Sequence, residues 1–157
     1  MSDKVFELTA KTFQGLEKIL ASELKKAGAE DIKILKRAVT FKGDLQVIYK
    51  ANYTVRTALN ILLKIKSFQA KTSEELYSEV NNINWEKYLN LSETFSIDKT
   101  VYSQFHKHSQ FAALKTKDAI ADHFTQKFER RPSVNIKDPD KKIHLYITGS
   151  QCTLSLD

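Results

Sequence analysis

Residues 101–128 decide how the second half of the chain folds, and they read VYSQFHKHSQFAALKTKDAIADHFTQKF. A polar loop rich in aromatic and basic residues leads into a segment whose apolar residues recur at helical spacing. We therefore predict a long amphipathic helix over residues 109–128, with Ser109 as its N-cap. Lys115 and Lys117 fall in its second turn. Cations beside stackable rings at a helix start suit a phosphate-bearing ligand with exposed bases.

The apolar face of this helix raises a question about Lys117. At about 100° per residue, one stripe contains Ala113, Leu114, Ile120, Ala121, Phe124 and Phe128. Lys117 projects near the middle of that stripe. Its stem can pack there while its ammonium reaches water, or the buried face opens into a cleft that presents the ammonium to phosphate. Lys115 is a solvated surface charge unless a partner covers that side.

The segments around the helix predict an α/β unit. Alternation predicts a strand from Phe95 to Val101, and two more over residues 144–148 and 152–156, which form a hairpin through Gly149-Ser150. Ser73 is predicted to cap a helix that contains Leu76, Tyr77 and Val80, and Ile83 and Trp85 follow as a short apolar patch. The chain ends inside the last strand pattern, so we interpret it as a piece of a longer protein.

The first half predicts a compact β-α-β-β-α-β unit that ends near residue 71. Strands are expected over residues 5–10, 32–34, 39–41 and 61–65, with Arg37-Ala38 at the hairpin. A helix with apolar residues from Leu16 to Ala27 stops at Gly28, and Asp44 caps a second helix. This order of elements is that of a ferredoxin-like unit.

The distribution of charge along the chain indicates which class of partner it binds. The net charge of the 157 residues is +6. Residues 99–142 hold ten Lys/Arg and five Asp/Glu, a net of +5, which leaves fifteen and fourteen, a net of +1, for the rest. Clustered positive charge predicts an anionic partner.

Cys152 is the single cysteine, which excludes an intrachain disulfide, and its alternating surroundings predict a buried thiol. Without an apolar leader or a run of 18 apolar residues, we expect a cytoplasmic monomer that does not enter a membrane.

Several side chains admit more than one interpretation. His106 and His108 are two possible metal ligands, but no third ligand follows at a recognised spacing. No metal site is therefore predicted. His123 is expected on the solvent side of the helix, and His144 is expected to be a hydrogen-bonded strand residue. Trp85 and Phe95 suit core packing better than stacking. Tyr102 and Phe105 are either stacking residues or structural ones, and Arg130-Arg131 either touches phosphate or favours the helix C-terminus.

Four short motifs, in the same order, resemble those of a known family. They are Gly15-Leu16-Glu17, then residues 39–44 (VTFKGD), then Ile83-Asn84-Trp85, and finally residues 109–120 (SQFAALKTKDAI). Together they resemble the N-terminal ferredoxin-like and THUMP region of bacterial methyltransferases that modify guanine N2 in large-subunit ribosomal RNA. Members of this family are often named as N6-adenine-specific DNA methylases. The resemblance covers essentially all 157 residues.

The resemblance implies an α+β fold with a ferredoxin-like domain over residues 1–71 and an α/β THUMP domain over residues 72–157. As an alternative to residue 72, a sequence profile could begin the second domain nearer residue 44. The resemblance implies that RNA binds a basic concave face that the THUMP domain builds with its ferredoxin-like partner, and residues 103–108 and the helix start are the matching positions here. The residues expected to contact RNA are Tyr102, Phe105, His106, Lys107, Ser109, Lys115, Lys117, Arg130 and Arg131.

The catalytic half of such an enzyme is not recognisable in this chain. The family uses an Asn/Asp-Pro-Pro-Tyr/Phe loop, whereas Pro132 and Pro139 lie in Arg-Pro-Ser and Asp-Pro-Asp. The glycine-rich turn expected for S-adenosylmethionine is also missing. We therefore expect no catalytic residue here, and a C-terminal methyltransferase domain in the same polypeptide to supply the cofactor and the chemistry. Two alternatives stay open: a regulatory or protein-interaction α/β module, and the THUMP region of a tRNA-modifying enzyme.

Overall fold

The computed structural model describes residues 4–157, so the three residues with which the predicted first domain begins lie outside the described part. The chain divides into two compact units, one running to Lys64 and including Asp157, the other spanning Ile65–Leu156. The helices and strands are β1 (Phe6–Lys11), α1 (Glu17–Lys26), β2 (Glu30–Leu35), β3 (Ala38–Gly43), α2 (Leu45–Thr54), β4 (Asn60–Gln69), α3 (Ser73–Asn81), a short 3-10 helix (Trp85–Lys87), β5 (Phe95–Tyr102), α4 (Ser109–Phe128), β6 (Lys141–Thr148) and β7 (Gln151–Leu156).

The first unit has the predicted ferredoxin-like order of elements. Its strands lie in the order β2-β3-β1-β4, and β1 runs antiparallel to both of its neighbours. Alternate residues of β1 and β3, such as Leu8 and Phe41, pack with Leu20 and Leu24 of α1 in one buried core. The predicted Asp44 cap is confirmed, because its Oδ1 accepts a hydrogen bond from the Val47 amide at 2.9 Å.

The second unit is an α/β arrangement with strand order β4-β7-β6-β5. Strands β5 and β6 are parallel and are connected through α4, whereas β6 and β7 form the predicted antiparallel hairpin. The core joins one face of α4 to the sheet and to Trp85, whose ring is fully buried and donates from Nε1 to the Val80 carbonyl oxygen at 2.8 Å. Trp85 and Phe95 are therefore core residues, as the packing interpretation expects.

Two predicted helix caps are wrong by one residue. Thr72, and not Ser73, caps α3, because its hydroxyl accepts a hydrogen bond from the Glu75 amide at 3.1 Å. Likewise, the N-cap position of α4 is His108, and Ser109 is the first helical residue. In both cases two polar residues are adjacent, and only the backbone angles decide which one leaves the helix.

The predicted apolar stripe of α4 is only partly buried. Its central residues Ile120 and Phe124 are 0% and 1% exposed, whereas Leu114 and Phe128 are 42% and 44% exposed. The predicted Ala113 and Ala121 are buried as well, and three further small residues, Ala112, Thr116 and Ala119, complete the buried face. Small side chains let the helix approach the sheet closely, and larger ones at the flanks are displaced to the surface.

Polar contacts fix α4 to the preceding elements. The Tyr77 hydroxyl donates to Asp122, which raises the pKa of Tyr77 to about 12. The Asn81 side-chain amide donates to the Ala119 carbonyl oxygen at 3.0 Å. The expectation that His123 faces solvent is wrong, since its side chain is 15% exposed and its two ring nitrogens lie 2.9 Å from the Asn81 carbonyl oxygen and 3.0 Å from Glu86 Oε1. The 3-10 helix that carries Glu86 covers this side, which the helical pattern alone did not show.

Within residues 4–157, no helix is long and apolar enough to cross a membrane.

Low pH should weaken the attachment of α4 to the 3-10 helix, because it protonates Glu86, which contacts His123 and Lys127 of α4. Burial alone would raise the pKa of Glu86, but hydrogen bonds from Lys127, from its own backbone amide and from His123 outweigh it and hold the pKa at about 2. Because the pKa is depressed from an ordinary value of 4.5, the ionised carboxylate stabilises the fold above pH 4.5, and that contribution is lost as the pH falls towards 2. Urea unfolding of Glu86→Gln should show lower stability at pH 7 and a flatter pH dependence below 4.5. An unchanged profile, matching that of the exposed control Glu129→Gln, would contradict this.

The turn between β3 and α2 requires a residue without a side chain. A Cβ at Gly43 would lie 2.6 Å from Cγ1 of Val47, in the first turn of α2. Gly43→Ala should therefore lower the free energy of unfolding by about 1–3 kcal/mol through overpacking. The penalty should shrink in a Val47→Gly background, because the Val47 Cβ, which alanine would keep, also lies 2.7 Å from the added Cβ. A double-mutant cycle by chemical denaturation measures this change. Equal penalties in the two backgrounds would show that the close approach is not the cause.

Candidate nucleic-acid interface

The candidate site lies where β5 and β6 end. Since α4 connects these two parallel strands, its amino end begins beside their carboxyl ends, which is where α/β sheets place their ligands. The loop over residues 103–108 joins Tyr102, the last residue of β5, to the first turn of α4. Sheet topology therefore brings the loop, the helix start and the β6–β7 turn to the same edge.

Hydrogen bonds hold this loop in one shape. The Ser103 hydroxyl donates to the Gly149 carbonyl oxygen in the β6–β7 turn and accepts from the amides of Phe105 and His106. The Gly149 amide in turn donates to the Tyr102 carbonyl oxygen at 2.8 Å. His106 is 6% exposed, and its Nε2 lies 2.8 Å from the Ala70 carbonyl oxygen. A rigid loop loses little conformational entropy when it binds a ligand.

A groove of about 250 Å³ runs between the loop and α4. Its walls are formed by Ser73, Gln104, Phe105, His106, Lys107, His108, Phe111 and Ala112. Among these described lining residues none is acidic, and Lys107 and His108 are exposed. The groove therefore offers cations and aromatic rings to a ligand, and the Glu74 carboxylate adjoins it only through a hydrogen bond of 3.3 Å from the Ser73 hydroxyl.

Two lysines extend this combination beyond the groove. The Lys71 ammonium lies 5.8 Å from the centre of the Phe105 ring. The Lys115 ammonium lies 5.7 Å from the Phe111 ring and 5.9 Å from the Tyr77 ring. Phe105 and Phe111 are 41% and 50% exposed, so each ring keeps an open surface beside a cation. Such pairs present stacking surface and positive charge together.

The amino end of α4 adds a further attraction for anions. No side chain in the described chain caps it, although the Ala112 amide donates to the His108 carbonyl oxygen at 3.1 Å. The first amides of the 20-residue helix therefore point outwards from the positive end of its macrodipole. These amides, together with Lys107, form an arrangement suited to a phosphate oxygen.

The residues predicted from the sequence do not all meet at this groove. Phe105, His106 and Lys107 line it, Ser109 begins the adjoining helix, and Lys115 reaches it through Phe111. Tyr102 is 67% exposed at the end of β5 and contacts Tyr146 edge to face.

Three predicted residues stand apart from the groove. Lys117 is partly buried, and its ammonium lies 3.3 Å from the carboxylate of the neighbouring Asp118, in keeping with the packed-stem interpretation. Arg130 and Arg131 are exposed beyond the other end of α4. Twenty helical residues at about 1.5 Å each place them about 30 Å from the groove.

The structure adds residues that the sequence analysis did not single out. Phe111 stood within a quoted motif, but its exposure could not be read from helical spacing, since it flanks the apolar stripe. Lys71 comes from the segment before α3, more than thirty residues upstream of Phe105, and no local signal connects the two. Both belong to the site because the fold brings them there.

The side chains that could otherwise bind a metal or act as a nucleophile lie in surroundings typical of structural residues. Within the part of the chain that the structure describes, no group of three His, Cys, Asp or Glu side chains is arranged to hold a metal ion. Burial raises the pKa of Cys152 to about 11, so the thiol stays protonated at neutral pH. The His144 side chain is 12% exposed and lies 3.8 Å from the Asp98 carboxylate.

Relatives of this chain carry it as one part of a longer protein. A protein of Syntrophotalea carbinolica named ribosomal RNA large subunit methyltransferase K/L is 35% identical over 144 residues, which are 92% of this chain and 20% of the relative. Two solved structures resemble the fold closely. A predicted N6-adenine-specific DNA methylase from Listeria monocytogenes has a TM-score of 0.85 and 28% identity over 98% of this chain and 40% of its own. SMU.472, proposed to be a methyltransferase and complexed with SAH, has a TM-score of 0.83 and 30% identity over 99% and 42%.

Family models divide the chain in the same way as its fold. The RlmL ferredoxin-like domain matches residues 7–62, within the first compact unit. The THUMP domain matches residues 70–157 and thus takes in α3, α4 and the loop between β5 and α4, which together line the groove. The chain therefore belongs to the THUMP domain family and carries that domain directly after an RlmL ferredoxin-like domain.

Proposed function

We propose that this chain is the RNA-binding region of a methyltransferase that modifies large-subunit ribosomal RNA in the cytoplasm. The groove at the amino end of α4 is the contact that carries the proposal. It combines exposed rings, lysines and helix amides, and none of its lining residues is a carboxylate. Single-stranded RNA offers the matching chemistry, because its phosphates pair with the cations and its unstacked bases lie on the rings.

Each predicted residue has a part in this proposal. Lys107, Lys115 and the amides around Ser109 meet phosphates, whereas Phe105 and Tyr102 stack against bases. His106 positions the loop from its buried hydrogen bond and does not itself touch the ligand. Arg130 and Arg131 require a more distant part of the same RNA, and Lys117 contributes only its charge.

The parent enzyme supplies the chemistry from outside this region. S-adenosylmethionine does not fit the residues present, because the four glycines are scattered among element ends and neither proline belongs to an Asn/Asp-Pro-Pro-aromatic loop. The chain spans about a fifth of the length of the relative that it matches. We therefore assign the cofactor and the reaction to a C-terminal domain of the same polypeptide and treat this chain as its monomeric RNA-docking part.

Removing two groove cations should weaken RNA binding without loosening the fold. Lys107→Ala with Lys115→Ala should lower the affinity for a labelled single-stranded RNA about tenfold and reduce the log-log salt slope by about 1.4, since each phosphate contact contributes about 0.7. Fluorescence anisotropy over a range of salt concentrations measures both quantities. The melting temperature should stay close to that of the unaltered chain, because neither side chain is buried.

The matched control changes two exposed lysines of the same unit that lie outside the groove, Lys87→Ala with Lys137→Ala. This variant carries the same net charge as the test variant. If both lose affinity equally, binding depends on overall charge and the groove is not the site. If the unaltered chain shows no salt-dependent binding at all, the proposed function is wrong.

We further propose that the atom methylated by the parent enzyme is N2 of guanine. Nucleosides from large-subunit ribosomal RNA, compared by mass spectrometry between cells with and without the parent enzyme, should show less N2-methylguanosine in its absence. Loss of a different methylated nucleoside would refute this specificity while leaving the RNA-docking proposal intact.

A further inference from the structure

Tyr77 joins α3 to α4 behind the groove, although it is not one of the groove's lining residues. It lies on α3 four residues after Ser73, and Lys115 lies on α4 four residues after Phe111. Residues at this spacing are neighbours on one face of a helix. Because Ser73 and Phe111 both line the groove, Tyr77 and Lys115 form the next layer along the two helices.

Two interactions fix the ring of Tyr77. The ring is partly buried and packs against the core of the second unit. Its hydroxyl donates a hydrogen bond to Asp122 of α4. That bond raises the pKa of Tyr77 to about 12, so the hydroxyl stays protonated and keeps donating at neutral pH. The ring is therefore a rigid surface beside α4.

This rigid ring contacts the ammonium group of Lys115. The ammonium lies 5.9 Å from the centre of the Tyr77 ring and 5.7 Å from that of Phe111. The face of an aromatic ring attracts a cation at such distances. A lysine side chain has many rotamers, and fixing it at a phosphate costs conformational entropy. Two rings that hold the ammonium beforehand reduce this cost.

The carboxylates on this side of α4 have partners other than Lys115. Asp118 lies 3.3 Å from the ammonium of Lys117, and Asp122 accepts the hydrogen bond from Tyr77. Among the side chains of residues 4–157, Lys115 has no ion-pair partner. Tyr77 thus has two effects, because its ring holds the ammonium while its hydroxyl engages a carboxylate two turns further along the helix.

We propose that Tyr77 is a positioning residue of the groove: its ring sets the place at which the Lys115 ammonium meets a phosphate, and Tyr77 itself does not touch the RNA. The inference rests on the proposed RNA-binding function and deepens it. An uncharged residue thereby controls part of the electrostatic attraction between the chain and RNA. The competing explanation is that Tyr77 only packs α3 against α4.

The salt dependence of RNA binding separates positioning from packing. Tyr77→Leu in the full 157-residue chain should weaken binding to a labelled single-stranded RNA about three- to fivefold and reduce the log-log salt slope by about 0.7, the contribution of one phosphate contact. The substitution removes no charge, so a smaller slope reports the lost contact of Lys115. Fluorescence anisotropy below the melting transition of each variant measures both quantities.

Tyr88→Leu is the matched control. Tyr88 is also partly buried and packs on the core of the second unit, but its ring contacts Trp85 edge to face, with 6.2 Å between the ring centres. The control should lower the melting temperature, as loss of any packed ring does, and leave the salt slope unchanged. Tyr77→Phe keeps the ring beside Lys115, so it should retain the slope and bind RNA within about twofold of the unaltered chain.

A double-mutant cycle shows whether Tyr77 acts through Lys115. In a Lys115→Ala background, Tyr77→Leu should cause no further change in RNA affinity or in salt slope. If Tyr77→Leu weakens binding by the same factor in both backgrounds, Tyr77 packs the fold or touches RNA itself, and the inference is wrong.

A second series keeps the test independent of any loss of folding in Tyr77→Leu. Fluorinated phenylalanines at position 77 weaken the negative potential of the ring face with little change in its shape. The salt slope should fall as fluorine atoms are added, because the ring then holds the ammonium less firmly. A slope that stays constant through this series would overturn the positioning role.

Failure of this inference differs from failure of the proposed function. If the Lys107/Lys115 variant binds RNA weakly while Tyr77→Leu keeps the slope of the unaltered chain, the groove stands and Tyr77 does not position Lys115. If the Lys107/Lys115 variant binds like the unaltered chain, the groove is not the site, and the inference fails with it.

Discussion

Burial of the small-residue face of α4 is the constraint on which the second unit depends. Ala112, Thr116 and Ala119 let the helix lie close to the sheet, and Ile120 and Phe124 fill the core beneath it. With this face fixed, the helix has one position along the sheet, and its amino end must emerge beside the ends of β5 and β6. The exposed rings and cations of the groove follow from that placement, since Phe111 and Lys115 are the side chains that the buried face excludes.

The carboxylates of the second unit are mostly engaged outside the groove. Asp122 and Glu86 bond to Tyr77 and His123 along α4. Beside the groove, Glu74 accepts a hydrogen bond from the Ser73 hydroxyl at 3.3 Å and Glu75 accepts one from the Lys71 amide at 2.8 Å, whereas the residues that line the groove are not acidic. Because the sequence has 25 Lys and Arg residues against 19 Asp and Glu residues, this placement leaves a surface that favours an anion.

Sequence patterns predicted much of the fold and part of the site. The order of elements, the bounds of α4 and the Asp44 cap were readable because each depends on local periodicity or on one capping residue. The burial of His123 was not readable, because it depends on the 3-10 helix that covers it. Lys71 was missed for a similar reason, since it is distant in sequence from Phe105 and only the tertiary fold brings the two side chains together.

RNA is expected to bind at the amino end of α4, and mapping of backbone amide resonances by NMR tests this placement most directly. Titration of the isotopically labelled chain with single-stranded RNA should shift the amides of residues 105–111 most strongly within the second unit, with the outward-pointing amides of Ser109 and Gln110 among them. If those resonances stay in place while others in the same unit move, the groove is not where the nucleic acid binds.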